Sequence, residues 1–114
     1  MKKIEALIKP HQLVDVKAAL YGKGVFCGMT STEVHGYTSG VSGRLIYRGL
    51  VQRIDLLPRI KLEVVTHEDL VERVLQAIAG SAPTDRGRDG EILVSEVTES
   101  VRIRTGEIDE AAIA

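Results

Sequence analysis

The chain reads as an α+β sandwich in which two strand–helix units share one sheet, and three features of the sequence predict it. Apolar residues alternate along residues 3–9 and again along 60–65, as they do on a strand with one buried face. Each run is followed by an apolar stripe at helical spacing: Leu13, Val16, Ala19 and Leu20 after the first, and Leu70, Val71, Val74, Leu75 and Ile78 after the second. The two units also echo each other, since Lys3-Ile4-Glu5 leads to Leu13-Val14-Asp15 as Lys61-Leu62-Glu63 leads to Leu70-Val71-Glu72.

Taken in order, the first strand alternates and then turns apolar before Pro10 closes it. The first helix follows, with Gly22 and Gly24 as its stop. Residues 29–34 form a second strand with Thr30, Thr32 and Val34 on one face, and residues 60–65 a third. Thr66-His67-Glu68-Asp69 has the spacing of a capping box and opens the second helix. Ile92-Leu93-Val94 and Val101-Arg102-Ile103-Arg104 predict two further short strands, and residues 105–114 an acidic tail. Two such units joined by a hairpin give β-α-β-β-α-β, the ferredoxin-like arrangement, with both helices on one sheet face. The other face is left bare, and an uncovered sheet rich in Val and Ile predicts self-association.

At 114 residues and 12.4 kDa, the sequence is the size of one domain, 1–114, without room for separate catalytic and regulatory units. Absence of Trp and an aromatic content of 4% require a core of Val, Ile, Leu and Ala. The net charge of -1, with scattered basic residues, argues against a nucleic-acid partner. Cys27 is the single cysteine, so neither an internal disulfide nor a thiolate zinc site can be built, and a reducing, cytoplasmic home is expected. Met1-Lys2-Lys3-Ile4-Glu5 passes at once into alternating charge, so no direct membrane insertion is expected and any membrane role would run through a partner.

The segment between the second and third strands, about 36–57, is long for so small a domain and carries Arg44, Arg48 and Arg53 among Gly and Ser. It is either a long hairpin or a mobile loop, and loops of this length are usually functional or disordered. His11, His35 and His67 lack metal-ligand spacing, so no metal site is expected. Cys27, between Phe26 and Gly28, reads as a small packed residue. Neither a Ser-His-Asp pattern nor a P-loop is present, which points away from an enzyme.

Several pieces in combination resemble the P-II nitrogen-regulatory family from end to end. They are residues 1–10, Gly28-Met29-Thr30, Thr32-Glu33-Val34, Tyr47-Arg48-Gly49, Leu57-Pro58, and Arg102-Ile103-Arg104-Thr105-Gly106-Glu107. The resemblance implies a homotrimer that binds nucleotides in clefts between subunits. It also implies that the 36–57 segment is the T-loop, the part that docks onto a target protein. Carried over residue by residue, Leu7, Thr30, Gly36, Glu63 and Val65 fall where the family holds adenine and ribose, and Arg102 and Arg104 where it holds phosphates. Residues two apart on a strand share a face, so two guanidiniums there would make a fork for a polyanion. Read singly, Glu63 would be a solvated strand residue, Thr30 a surface strand former and the arginines an exposed edge.

The chain departs from the family's phosphate loop at about 82–91. Where the family reads Thr-Gly-x-x-Gly-Asp-Gly-Lys, this chain has Thr84-Asp85-Arg86-Gly87-Arg88-Asp89-Gly90-Glu91. Glycine lets a backbone approach phosphate and lysine supplies a point charge, so Asp85 and Glu91 weaken the grip on a triphosphate. Arg86 and Arg88 compensate with a different geometry. The expected site adds Arg88, Asp89 and Gly90, and the expected ligand is ADP or AMP before ATP, with no tightly held cofactor. Gly40 stands where the family has the glutamine that helps hold magnesium and 2-oxoglutarate, and Arg59 replaces a lysine that pairs with the oxoacid. Gln52 stands where many members carry a uridylylated tyrosine. The expected effector is therefore a small anion such as bicarbonate, near Arg59 or Gly40, rather than 2-oxoglutarate.

The function expected from the sequence is non-enzymatic signalling, with nucleotide binding controlling how the 36–57 segment meets a membrane transporter or a metabolic enzyme. The alternatives are an ordinary sensor of ATP and 2-oxoglutarate, a small phosphate-ester hydrolase on the same fold, and a structural trimer without a ligand.

Overall fold

The computed structural model describes residues 1–25, 28–37, 43–47, 50–54, 56–83 and 91–113. Strand β1 is Lys2–Ile8, and its inward residues Ile4, Ala6 and Ile8 are all buried. A 3₁₀ turn at Pro10–Gln12 leads into helix α1, Leu13–Gly22, which buries Val16 and Leu20. The helix stops at Gly24, whose φ of 76° lies in the left-handed region. There the Val25 N–H reaches back to the Leu20 carbonyl (3.0 Å) and the Gly24 N–H to that of Tyr21 (3.0 Å). Both bonds satisfy carbonyls that the helix end would otherwise orphan.

Strand β2 is Met29–Tyr37, followed by β3, Gly43–Tyr47, β4, Leu50–Ile54, and β5, Leu56–Thr66. A second 3₁₀ turn, Glu68–Leu70, leads into helix α2, Val71–Ser81, which buries Val74, Ala77 and Ile78. Strand β6 is Ile92–Glu96, and a short helix α3 spans Glu110–Ile113. The echo between the two units is physical: β1 and β5 each pass through a 3₁₀ turn into a helix, and α1 lies against α2.

The main sheet has the order β2-β5-β1-β6 with antiparallel pairing throughout, which is the ferredoxin-like order predicted. Both β1 and β5 are interior strands, and their alternation sends Ile4, Ile8, Leu62 and Val64 into the layer beneath the helices. The opposite face is free of α1 and α2, and among the described residues only the short α3 meets it, beside Thr30, Glu63 and Val65.

Of the predicted 36–57 segment, residues 38–42, 48–49 and 55 lie outside the described ones, and the remainder is strand. β2 continues to Tyr37 opposite Leu56, and β3 pairs with β4 as a separate two-stranded ribbon from Gly43↔Ile54 to Tyr47↔Leu50. The radius of gyration is 17.0 Å, against about 13 Å for a compact chain of this length.

Three expectations need correction. Thr66 does not cap the second helix: it is the last residue of β5, completely buried, and its hydroxyl has no hydrogen-bond partner among the described residues. Residues 101–104 are not a strand. Val101 makes one isolated bridge to Ile108, and between them the chain folds into a turn closed by Arg102 N–H to Glu107 O and Gly106 N–H to Arg102 O, both 2.8 Å. Gly106, at φ 73°, supplies the left-handed step that a strand could not contain. The predicted acidic tail is also folded, because α3 lies against β5.

Candidate functional site

The cross-strand register gathers the outward residues of the main sheet into rows. Thr30 stands opposite Glu63, Glu63 opposite Glu5, and Glu5 opposite Leu93, so one row crosses all four strands. In the next row Thr32 is opposite Lys61 and Lys61 opposite Leu7, and one step the other way Val65 is opposite Lys3. Two carboxylates meeting across a strand pair would repel. Lys3 offsets this, with its ammonium 2.8 Å from Glu5 Oε1 and 3.3 Å from Glu63 Oε2, while Lys61 lies 3.4 Å from the other oxygen of Glu63. Hydrogen bonding to Glu5, and then to Glu63, raises the Lys3 pKa, and the same bond to Lys3 lowers that of Glu5.

Around this charged row lie two recesses. One, of about 360 Å³, is walled by Gly28, Met29, Thr30, Glu63 and Val65 from the sheet and by Ala112 and Ile113 from α3. The other, of about 340 Å³, is lined by Leu7, Val34, Lys61, Glu91 and Leu93 among others. Both fall in the range of small-ligand sites. Thr30, Glu63 and Val65 therefore come together, while Leu7 faces a different hollow of the same face. Gly36, opposite Leu57, sits against Arg59: a Cβ there would stand 3.4 Å from Arg59 Cγ, so the arginine stem runs over the glycine. Arg59 borders a third recess of about 210 Å³ with Glu33 and His35, and its Nη1 donates to the Pro58 carbonyl at 2.8 Å.

The two arginines do not form the strand-face fork predicted for them, because the 101–108 turn separates their roles. Arg104 is exposed near the tip of the turn. Arg102, at its foot, donates from Nε and Nη2 to the Ala112 carbonyl (3.4 and 3.2 Å) and from Nη2 to that of Ala111 (3.5 Å). Its Nη1 is 3.7 Å from Glu107, whose carboxylate also accepts from the Thr105 hydroxyl at 2.8 Å. Arg102 is thereby within one residue of the recess that Thr30, Glu63 and Val65 wall. Gly40, Arg88, Asp89 and Gly90 lie outside the described residues, as does Cys27.

Two contributors were missed by sequence reasoning. Gln12 is buried, accepts from the Lys9 N–H (2.9 Å) and donates to the Pro83 carbonyl (3.0 Å), fixing the point from which the predicted phosphate loop departs. Its signal was available: Gln12, Val16 and Leu20 are four apart, so a polar residue stood on the buried stripe of a helix. Ala112 and Ile113 wall the recess from a segment read as tail, and their one signal was an apolar Ala-Ala-Ile run after acidic residues.

The family model described as "Nitrogen regulatory protein P-II" matches residues 1–107. The chain is 45% identical over 113 residues to the nitrogen regulatory protein P-II of Cereibacter sphaeroides, covering 99% of this chain and 100% of the relative. It is 46% identical over 113 residues to that of Haemophilus influenzae, with 99% and 100% covered. To that of Bradyrhizobium diazoefficiens it is 48% identical over 107 residues, with 94% and 95% covered.

Proposed function

Because the chain belongs to the P-II family of nitrogen regulatory proteins, we propose that it is a non-enzymatic, homotrimeric regulator that binds adenine nucleotide between subunits. The observation that carries this reading is the recess of about 360 Å³ walled by Thr30, Glu63 and Val65, with the Arg102 guanidinium bonded to its α3 wall. A base-sized hollow beside a cation is what a nucleotide needs. Leu7 faces the second hollow, and a neighbouring subunit laid on the sheet face turned away from α1 and α2 would complete each half-site from the other.

ADP or AMP is favoured over ATP. Glu91, exposed at the edge of the Leu7 hollow, places a negative charge where the family has a lysine, and a longer phosphate chain meets more of that repulsion. Nucleotide occupancy then shifts the populations of the 36–57 segment, and this switches contact with a target, a membrane transporter or a metabolic enzyme. A small anion such as bicarbonate is the second effector in this reading, at Arg59 or near Gly40. Glu33 shares the Arg59 recess and offsets part of its charge, so such an anion would be held weakly.

The ordinary reading, a sensor of ATP and 2-oxoglutarate, is favoured by the identity of 45% to relatives named nitrogen regulatory proteins. Calorimetric titration with ATP, ADP and AMP separates the two, each alone, with 2-oxoglutarate and magnesium, and with bicarbonate. ADP or AMP binding that ignores 2-oxoglutarate is expected. Tight ATP binding strengthened by 2-oxoglutarate would establish the ordinary sensor instead.

A further inference from the structure

A four-residue helix such as α3, Glu110–Ile113, is too short to persist by itself, so its place over the sheet depends on tertiary contacts. Three of these come from one side chain, Arg102, which donates to the carbonyls of Ala111 and Ala112 at the end of the helix. At 3.2 to 3.5 Å these are long bonds to neutral acceptors. Among the described residues, further support comes from the Ala112 N–H to the Asp109 carbonyl, 2.9 Å, from the Asp109 N–H to the Ser100 carbonyl, 2.7 Å, and from the wall that Ala112 and Ile113 make against Thr30, Glu63 and Val65.

We propose that Arg102 is shared between α3 and the ligand's phosphates, so that a phosphate group capturing its guanidinium releases α3 from the Thr30–Glu63–Val65 recess. A phosphate oxygen offers an ionised acceptor at about 2.7–2.9 Å, a stronger partner than a peptide carbonyl, and it takes the same N–H groups. The inference rests on the nucleotide-binding reading and adds to it a moving part. The helix walls the hollow when Arg102 holds it and leaves when phosphate takes the guanidinium. Occupancy is thus reported by a second segment besides 36–57. By reciprocity, the tether must also weaken phosphate binding by as much as phosphate weakens the tether.

The test follows the Ile113 side-chain methyl resonance by NMR in the full chain, with binding measured separately by calorimetry. Additions of ADP and of pyrophosphate, which carries the phosphates without a base, are each expected to move the methyl to its random-coil position. Adenosine, which lacks phosphate, is expected to leave it in place. Arg102→Ala is expected to show the released position with no ligand present, and Arg102→Lys a partial shift. ADP that binds in calorimetry while Ile113 stays fixed would overturn the coupling alone. Absence of ADP binding would overturn the nucleotide reading and the coupling with it. An unmoved Ile113 in Arg102→Ala would overturn the tether.

Discussion

Glu5 and Glu63 stand directly opposite each other on the two interior strands, and the ammonium of Lys3 lies between their carboxylates. The bond to Lys3 lowers the Glu5 pKa, so the folded state holds this proton less readily than the unfolded chain. Its contribution is therefore complete above the ordinary glutamate value, about 4.3, and is lost as pH falls through the lower folded value. Lys3 is raised, so its share is complete below the ordinary lysine value and lost at alkaline pH. Lys3→Met leaves two facing carboxylates without their bridge. The urea midpoint of this variant is expected to lie below wild type at pH 7 and to converge on it between about pH 5 and pH 3 as Glu5 protonates. Parallel curves across that range would contradict the bridging role.

Gln12 is a buried side chain that ties the start of α1 to the segment beyond α2. Gln12→Ala leaves the Lys9 N–H and the Pro83 carbonyl without this partner. Each such loss in a buried setting costs about 1–3 kcal/mol, and chemical denaturation should show a loss of that order. Because Pro83 opens onto residues 84–90, a weakened affinity for ADP is expected as well, measured by calorimetry under conditions where the variant remains folded. Gln12→Glu keeps the acceptor but not the donor, and should retain the Lys9 contact while losing the one to Pro83.

How much of this was legible depended on whether a residue's partner was local. The helices declared themselves, since Val16 and Leu20, or Val74 and Ile78, fall on one face by spacing alone. The Thr30–Glu63 meeting followed once the second and third strands were paired, because register then carries every outward residue with it. The run Val101-Arg102-Ile103-Arg104 misled because it alternates like a strand, yet strand propensity is realised only against a partner. Of these residues Val101 alone forms a bridge, and Ile103 stands fully exposed. Thr66 misled because capping spacing is local, while the pairing that keeps it in β5, opposite Lys2, comes from a strand sixty residues away. The α3 wall left only a faint signal, its Ala-Ala-Ile run, for the same reason: its support is Arg102 and the sheet, not its own four residues.

Thr66 offers a stability test. It is completely buried and its hydroxyl oxygen has no hydrogen-bond partner among the described residues. A buried polar atom without a partner carries its desolvation cost uncompensated. Thr66→Val keeps the branched shape that suits a strand and removes the hydroxyl. The variant is expected to match wild type or exceed it by up to about 1–2 kcal/mol in chemical denaturation. A loss of stability would mean that the hydroxyl is satisfied in solution.

The sheet face turned away from α1 and α2 gives the last prediction. Leu93 is 55% exposed and Leu7 40% exposed on that face, in a sheet whose other side is covered by both helices. Leu93 lies opposite Glu5 on an edge strand, so altering it leaves the buried layer of Ile4, Leu62 and Val64 intact. If a trimer covers this face, each copy buries the exposed half of Leu93, worth about 1–1.5 kcal/mol, and one substitution acts in all three subunits at once. Leu93→Asp is then expected to move the sedimenting species from trimer to monomer at micromolar concentration, with its circular dichroism unchanged. Nucleotide affinity should fall with it, because the half-sites around Leu7 and around Thr30 would no longer meet. A variant that stays trimeric would place the subunit contact on another surface, and one that is monomeric yet binds ADP as wild type does would place the whole nucleotide site within one chain.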